Sequence, residues 1–178
     1  EGGWPGANPI DTKFFSNPPR MQGALFTAFG MTKKNGRSAD NDPGLASLIN
    51  ANAPAVCVVG KSWDYHVKIA LGIKNEENLE NIRETAKHIV KNKKEFLFDA
   101  EHFFDGFKTN PDYALNCIKQ AYDNGARWVV LCDTNGGTLP NEVREIVSKI
   151  VKVIPGKNLG IHAHNDTENA VANSLAAV

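Results

Sequence analysis

Cysteine is scarce in this chain, with three in 178 residues: Cys57, Cys117 and Cys132. The number is odd and no Cys-x-x-Cys spacing occurs. Neither a disulfide framework nor a zinc knuckle is expected, and a reducing compartment, the cytoplasm, is favoured. Cys57 and Cys132 fall inside apolar runs and read as small buried hydrophobes rather than nucleophiles. Net charge is lacking too, because 20 Lys and Arg balance 20 Asp and Glu. Nothing in that balance points to nucleic acid or an anionic membrane as partner. No apolar run approaches the roughly 20 residues of a membrane span. No Gly-x-Gly-x-x-Gly occurs. Gly60-Lys61-Ser62 lacks the glycine that a P-loop needs five residues earlier, where Ala55 stands instead. The nucleotide-binding form of a doubly wound sheet is therefore set aside. An opening Met and a signal pattern are also absent. Glu1-Gly2-Gly3-Trp4-Pro5-Gly6 is loop chemistry, and reads as a start in the middle of a fold.

Short apolar runs alternate with helical patterns. Ala24–Phe29, Ala55–Val59, Glu95–Asp99, Trp128–Asp133 and Asn158–His164 are the expected strands. Between them, Leu79, Ile82, Ala86, Ile89 and Val90 form an apolar stripe of helical period. Leu115, Ile118 and Tyr122 form another, and Val143, Ile146, Val147 and Ile150 a third. Asn110 before Pro111 is a helix start, and Thr138 before Pro140 and Glu142 reads the same way. Asn124-Gly125 and Pro155-Gly156 are stops. The strands recur at roughly 30 to 40 residues, the size of one β/α unit, which predicts a parallel sheet with helices outside it. At 178 residues the chain is short of the roughly 250 of a complete (β/α)₈ barrel. The polar stretch Lys33–Pro43 reads equally as a solvated connection or as a lid.

Polar residues gather where the strands end, which in a β/α barrel is the catalytic face. In His162-Ala163-His164, strand parity puts both imidazoles on one face, about 6.6 Å apart along the chain. That spacing favours a shared metal over two core histidines. In Phe96-Leu97-Phe98-Asp99-Ala100-Glu101, parity turns the phenylalanines towards helices and Asp99 and Glu101 towards the barrel mouth. There they either position substrate and move protons or simply solvate a loop. In Cys132-Asp133-Thr134-Asn135-Gly136-Gly137, a buried strand ends in hydroxyl and carboxylate. A ligand-binding loop and a plain Asx or ST turn both fit.

These segments, in this order, resemble the citramalate, 2-isopropylmalate and homocitrate synthase family, which shares its metallolyase barrel with hydroxymethylglutaryl-CoA lyase. The resemblance is carried by Glu1-Gly2-Gly3-Trp4-Pro5-Gly6-Ala7-Asn8-Pro9, Gly60-Lys61-Ser62-Trp63-Asp64-Tyr65-His66-Val67, Phe98-Asp99-Ala100-Glu101-His102-Phe103-Phe104-Asp105-Gly106, Asp133-Thr134-Asn135-Gly136-Gly137 and His162-Ala163-His164-Asn165-Asp166. It covers essentially the whole chain, and the first two segments look most like the citramalate branch. It implies an incomplete (β/α)₈ TIM barrel of about strands 2 to 7, with residues 1–178 one partial catalytic domain. The first strand, the eighth strand and the C-terminal domains would lie outside it. It also implies an acyltransferase that condenses acetyl-CoA with a 2-oxo acid, pyruvate in the citramalate branch, on the way to isoleucine. The implied cofactor is a divalent metal ion (Mg, Mn or Zn), with His162 and His164 as ligands and a third ligand on the first strand. Thr134 would bind the 2-oxo acid carboxylate, Asp99 would line the same pocket, and Glu101 would be the catalytic acid. The partners implied are these small molecules and a second copy of the parent enzyme as a homodimer. A carbon–carbon lyase of the hydroxymethylglutaryl-CoA type, or a non-catalytic fragment, is the alternative.

Overall fold

The computed structural model describes residues 1–19 and 21–178. Five strands alternate with helices: β1 (Thr27–Met31), β2 (Ala55–Lys61), β3 (Glu95–Glu101), β4 (Ala126–Asp133) and β5 (Leu159–Ala163). All pair in parallel and lie in chain order, β1-β2-β3-β4-β5. Right-handed crossovers between successive neighbours all fall on one face of the sheet. The result is a section of barrel wall, not a doubly wound sheet with a point of reversal.

The helices are α1 (Pro9–Ser16), α2 (Pro43–Asn50), α3 (Asp64–His66, running into a π turn at Val67–Leu71), α4 (Asn75–Lys91), α5 (Phe103–Thr109), α6 (Pro111–Asp123), α7 (Pro140–Ile150) and α8 (Ala170–Ala176). The apolar stripes become their buried faces: Ile82, Ala86 and Ile89 on α4, Ile118 on α6, and Val143, Ile146 and Ile150 on α7. The outward row of the sheet, Val56 and Val58, Phe96 and Phe98, Val129 and Leu131, is buried against them. Burying each such side chain stabilises by about 1.5–3 kcal/mol. Asn110 caps α6 as expected, its side-chain oxygen accepting from Tyr113 N–H at 3.2 Å. No helix among the described residues is long and apolar enough to cross a membrane.

Several expectations change. The first strand lies at Thr27–Met31, later than Ala24–Phe29, and the last shortens to Leu159–Ala163 because Gly156–Asn158 forms a 3₁₀ turn. The five expected strands form, one fewer than barrel strands 2 to 7 would give. Gly2 and Gly3 lie along β1: Gly2 N–H donates to Thr27 O and Phe29 N–H to Gly3 O, both at 2.9 Å. The outer edge of β1 is thus partly covered. Thr138 does not cap α7. Leu139 holds that place, its N–H donating to Glu142 at 2.8 Å, because the Thr138 hydroxyl is bonded to Asp133.

Lys33–Pro43 is a mostly exposed connection, as one of the two readings had it, but it is anchored at several points. Lys33, buried, pairs with Glu84 at 2.8 Å and donates to Arg37 O, while its backbone N–H donates to Thr85 Oγ1. Asn35 donates to Glu77, and Asp42 accepts from Lys34 and Leu45 N–H. The loop is pinned along α4.

No strand among the described residues covers the outer side of β5. Unpaired edges of this kind recruit other chains. The 178-residue chain produced alone should therefore self-associate in light scattering. A cooperatively melting monomer would show that five strands suffice.

Candidate active site

In-register parallel pairing gives each rung of the sheet a common face. Lys61 pairs with Glu101, Val59 with Asp99, Asp99 with Val130, and Cys132 with His162. The side chains of these residues stand opposite the Phe96 and Phe98 row, at the C-terminal ends of the strands. Ile161 turns outward and packs against the core. His164 lies just beyond β5, tied by its N–H to Asp133 O at 3.3 Å.

One cluster joins β3, β4 and β5. Ligand atoms of Asp99, Cys132 and His162 lie within 4.8 Å of one another. Glu1, Cys57 and Asp99 form a second group sharing Asp99. The His162 and His164 rings sit 4.9 Å apart, centre to centre. Bonds of about 2.0–2.3 Å to one ion would hold ligand atoms about 3.5 Å apart, within the 4.8 Å span of the Asp99, Cys132 and His162 donors. Burial, then Glu1, pushes the Asp99 carboxyl above the usual carboxylate range, although His162 opposes this. Burial, then Asp99, raises the Cys132 thiol. A cation between these groups would offset the penalty on both. Nitrogen, oxygen and sulfur donors so placed fit a divalent metal. Cys132, read from sequence as a plain buried hydrophobe, belongs to this donor set. Its one signal was parity, two residues past Val130 on the inward row.

The other cluster joins β2 and β3. The Lys61 ammonium meets Glu101 Oε2 at 2.5 Å. Beyond them His66 and His102 face each other with ring centres 4.0 Å apart, and Trp63 stacks on His66 at 5.0 Å. Nδ1 of each histidine is buried without a hydrogen-bond partner, and His102 Nδ1 lies 3.6 Å from Asp105. Burial, helped by His102 and Lys61, holds His66 below the usual imidazole range. His102 stands in left-handed backbone at φ 56°. That bend carries the chain into α5, where Gly106 passes so close to β2 that a Cβ would lie 2.3 Å from Ser62 O.

Thr134 connects these parts. Its hydroxyl oxygen accepts His102 N–H at 2.8 Å, leaving the hydroxyl proton to donate elsewhere. Asp133 is structural. Fully buried, it accepts from the Thr138 hydroxyl at 2.8 Å and from Thr138 N–H at 3.2 Å. The structure thus brings Asp99 to His162 and Thr134 to the backbone of His102, and pairs Glu101 with Lys61. A cavity of about 780 Å³ opens beside these clusters rather than over them, lined by Trp4, Met31, Lys34, Arg37, Ser47 and Leu71 among others. Five strands do not enclose a barrel mouth, so the site itself is a concave wall.

Sheet order and strand-end chemistry define a (β/α) barrel enzyme fold of which the chain covers part. The HMGL-like family model matches residues 35–178, and the chain belongs to that family. It is 53% identical to the (R)-citramalate synthase of Aquifex aeolicus and 49% identical to that of Geobacter sulfurreducens, each over all of this chain and 34% of the relative. A homocitrate synthase of Sulfurisphaera tokodaii is 40% identical over 65% of this chain and 24% of its own length. The chain spans about a third of the citramalate synthases it matches. Among solved structures, the hydroxymethylglutaryl-CoA lyase of Pseudomonas aeruginosa superposes with a TM-score of 0.78 at 15% identity, over 95% of this chain and 54% of that one. That of Brucella melitensis gives 0.79 at 16%, over 95% and 58%. These two likenesses carry the fold.

Asp133→Ala leaves the Thr138 hydroxyl and N–H buried without their acceptor. It should cost about 1–3 kcal/mol in urea unfolding of the full-length protein, with Asp133→Asn milder. An unchanged midpoint for the alanine variant would show the pair to be dispensable.

Proposed function

We propose that this chain is the central part of the catalytic barrel of a citramalate synthase, an acyltransferase joining acetyl-CoA to pyruvate and releasing free CoA. The observation that carries the reading is the 53% identity to a citramalate synthase across the whole chain, together with the strand-end placement of the polar residues. The first strand, the eighth strand and the C-terminal domains belong to the rest of the protein, which works as a homodimer in the cytoplasm. The pathway is isoleucine biosynthesis.

His162 and His164 would hold a divalent metal ion, with Asp99 and Cys132 beside them and the first-strand ligand supplied from outside this chain. When bound, the ion supplies Lewis-acid polarisation of the 2-oxo group. Thr134 donates its free hydroxyl proton to the 2-oxo acid carboxylate while its oxygen stays tied to His102 N–H. Glu101, on the inward end of β3, moves a proton near the reacting carbon. Asp99 lines the same pocket. Lys34 and Arg37, exposed on the rim of the neighbouring cavity, suit the phosphates of CoA.

The full-length protein should release free CoA from acetyl-CoA when pyruvate is the co-substrate. Release with a bulkier 2-oxo acid but not with pyruvate would move it to another branch, and cleavage of hydroxymethylglutaryl-CoA would make it a lyase. Thr134→Val should raise the KM for the 2-oxo acid about 10-fold or more, as loss of a charge-assisted hydrogen bond does, and that for acetyl-CoA much less. Equal effects on the two would remove Thr134 from the carboxylate. His162→Ala should lower bound metal, read by elemental analysis, and an unchanged metal content would place the ion elsewhere.

A further inference from the structure

We propose that Lys61 is a positioning residue for the condensation, its ammonium fixing the Glu101 carboxylate on the inward face of β3. The inference rests on the reading of Glu101 as a proton carrier.

Four observations place the lysine. Lys61 and Glu101 share the last rung between β2 and β3, so their side chains leave the sheet in parallel. Their side chains are only 15% and 23% exposed, and the ammonium meets the carboxylate directly. Both backbones are clamped. Lys61 O accepts from the buried Asn78 side chain at 2.8 Å, and Glu101 O accepts from Ser62 N–H at 3.0 Å. Asn78 in turn is held at 2.8 Å by the Tyr113 hydroxyl, so the clamp reaches through α4 to α6.

An exposed ion pair would contribute little, since solvent screens it and two long side chains must be ordered. This pair differs, because sheltered partners on fixed backbones lose little further freedom on meeting. Removing the lysine would leave a sheltered carboxylate without its counter-charge. The groups facing the pair are His66 and His102, both short of hydrogen-bond partners at Nδ1, and Asp105. None of them replaces a primary ammonium at Glu101. Lys61 therefore acts through Glu101 and sets where its oxygens sit relative to the reacting atoms.

The test is a double-substitution cycle in the full-length, metal-loaded protein, read by CoA release with pyruvate and acetyl-CoA. Lys61→Met should lower kcat by about 100-fold, as a misplacement of the order of 1 Å can, with both KM values nearly unchanged. Lys61→Arg, which keeps the charge, should recover most of the loss. In the Glu101→Gln background, Lys61→Met should cost nothing further, because residues acting as a unit are not additive. Lys61→Gln serves if the methionine variant melts below the assay temperature. An unchanged kcat in Lys61→Met, or losses that multiply in the double variant, would overturn the proposal. A rise confined to the 2-oxo acid KM would also overturn it, by making Lys61 a substrate contact. Full activity of Glu101→Gln would instead remove Glu101 from the chemistry, and the lysine's role with it.

Discussion

The candidate site depends on the parallel register of β2 through β5. Because paired residues share a face, a slip of one residue on any strand would carry its polar end into the helix layer. On β3 such a slip would bury Asp99 and Glu101 among helices and bring Phe96 and Phe98 to the mouth. The cost is several kcal/mol on each count, from lost aromatic burial and from carboxylates left without partners. The apolar outer row thus holds the polar inner row in place. Gly106 adds a local constraint, since α5 can approach the Ser62 carbonyl only where no Cβ intervenes.

Behind the mouth lies a second polar layer, most of it buried. Asp133 holds Thr138, and Thr138 O accepts from the buried Asn173 side chain at 2.8 Å, joining the ends of β4 and α8. Asn78 joins β2 to α6 in the same way. At Gly136, whose φ is +61°, the chain turns under Asp166, with Thr167 donating to Gly136 O at 2.6 Å. Such networks stiffen the strand ends without placing their own atoms in the site. They explain why half of each strand-end motif, Asp133 in one case and Ser62 in another, is buried rather than presented.

That division marks how far the sequence could be read. Alternation of apolar and polar residues is local, so the strands, the helix stripes and the inward faces of Asp99, Glu101 and His162 were legible from parity alone, whereas His164 lies beyond the strand that parity describes. Strand ends were less so, because Gly2-Gly3 and Gly156–Asn158 are decided by backbone hydrogen bonds that no side-chain pattern reports. Which of two adjacent polar residues serves the site was not legible either. Asp133 and Thr134 are equally plausible turn formers, and only the distant Thr138 and His102 backbone separate their roles. Lys61 and Cys132 were passed over for a related reason. Each is unremarkable in its own segment, and each gains meaning from the neighbouring strand, Glu101 for the lysine and Asp99 with His162 for the cysteine.

The two clusters differ in charge, and the difference gives the wall a direction. On the β2–β3 side, Lys61 and Glu101 cancel each other at contact distance. On the β3–β5 side, Asp99 lies close to Glu1, to the Cys57 and Cys132 thiols and to the His162 imidazole. A carboxylate pair and two thiols gathered in this way favour a cation over an anion. A cation held there by His162 would supply the counter-charge for an anionic ligand, whose carboxylate would still need a neutral donor. Thr134 is such a donor, at the end of the strand between the two clusters. Its hydroxyl is aimed by a backbone N–H rather than by a charge, so under the proposed function it would orient a carboxylate without disturbing the ion pair on the other side.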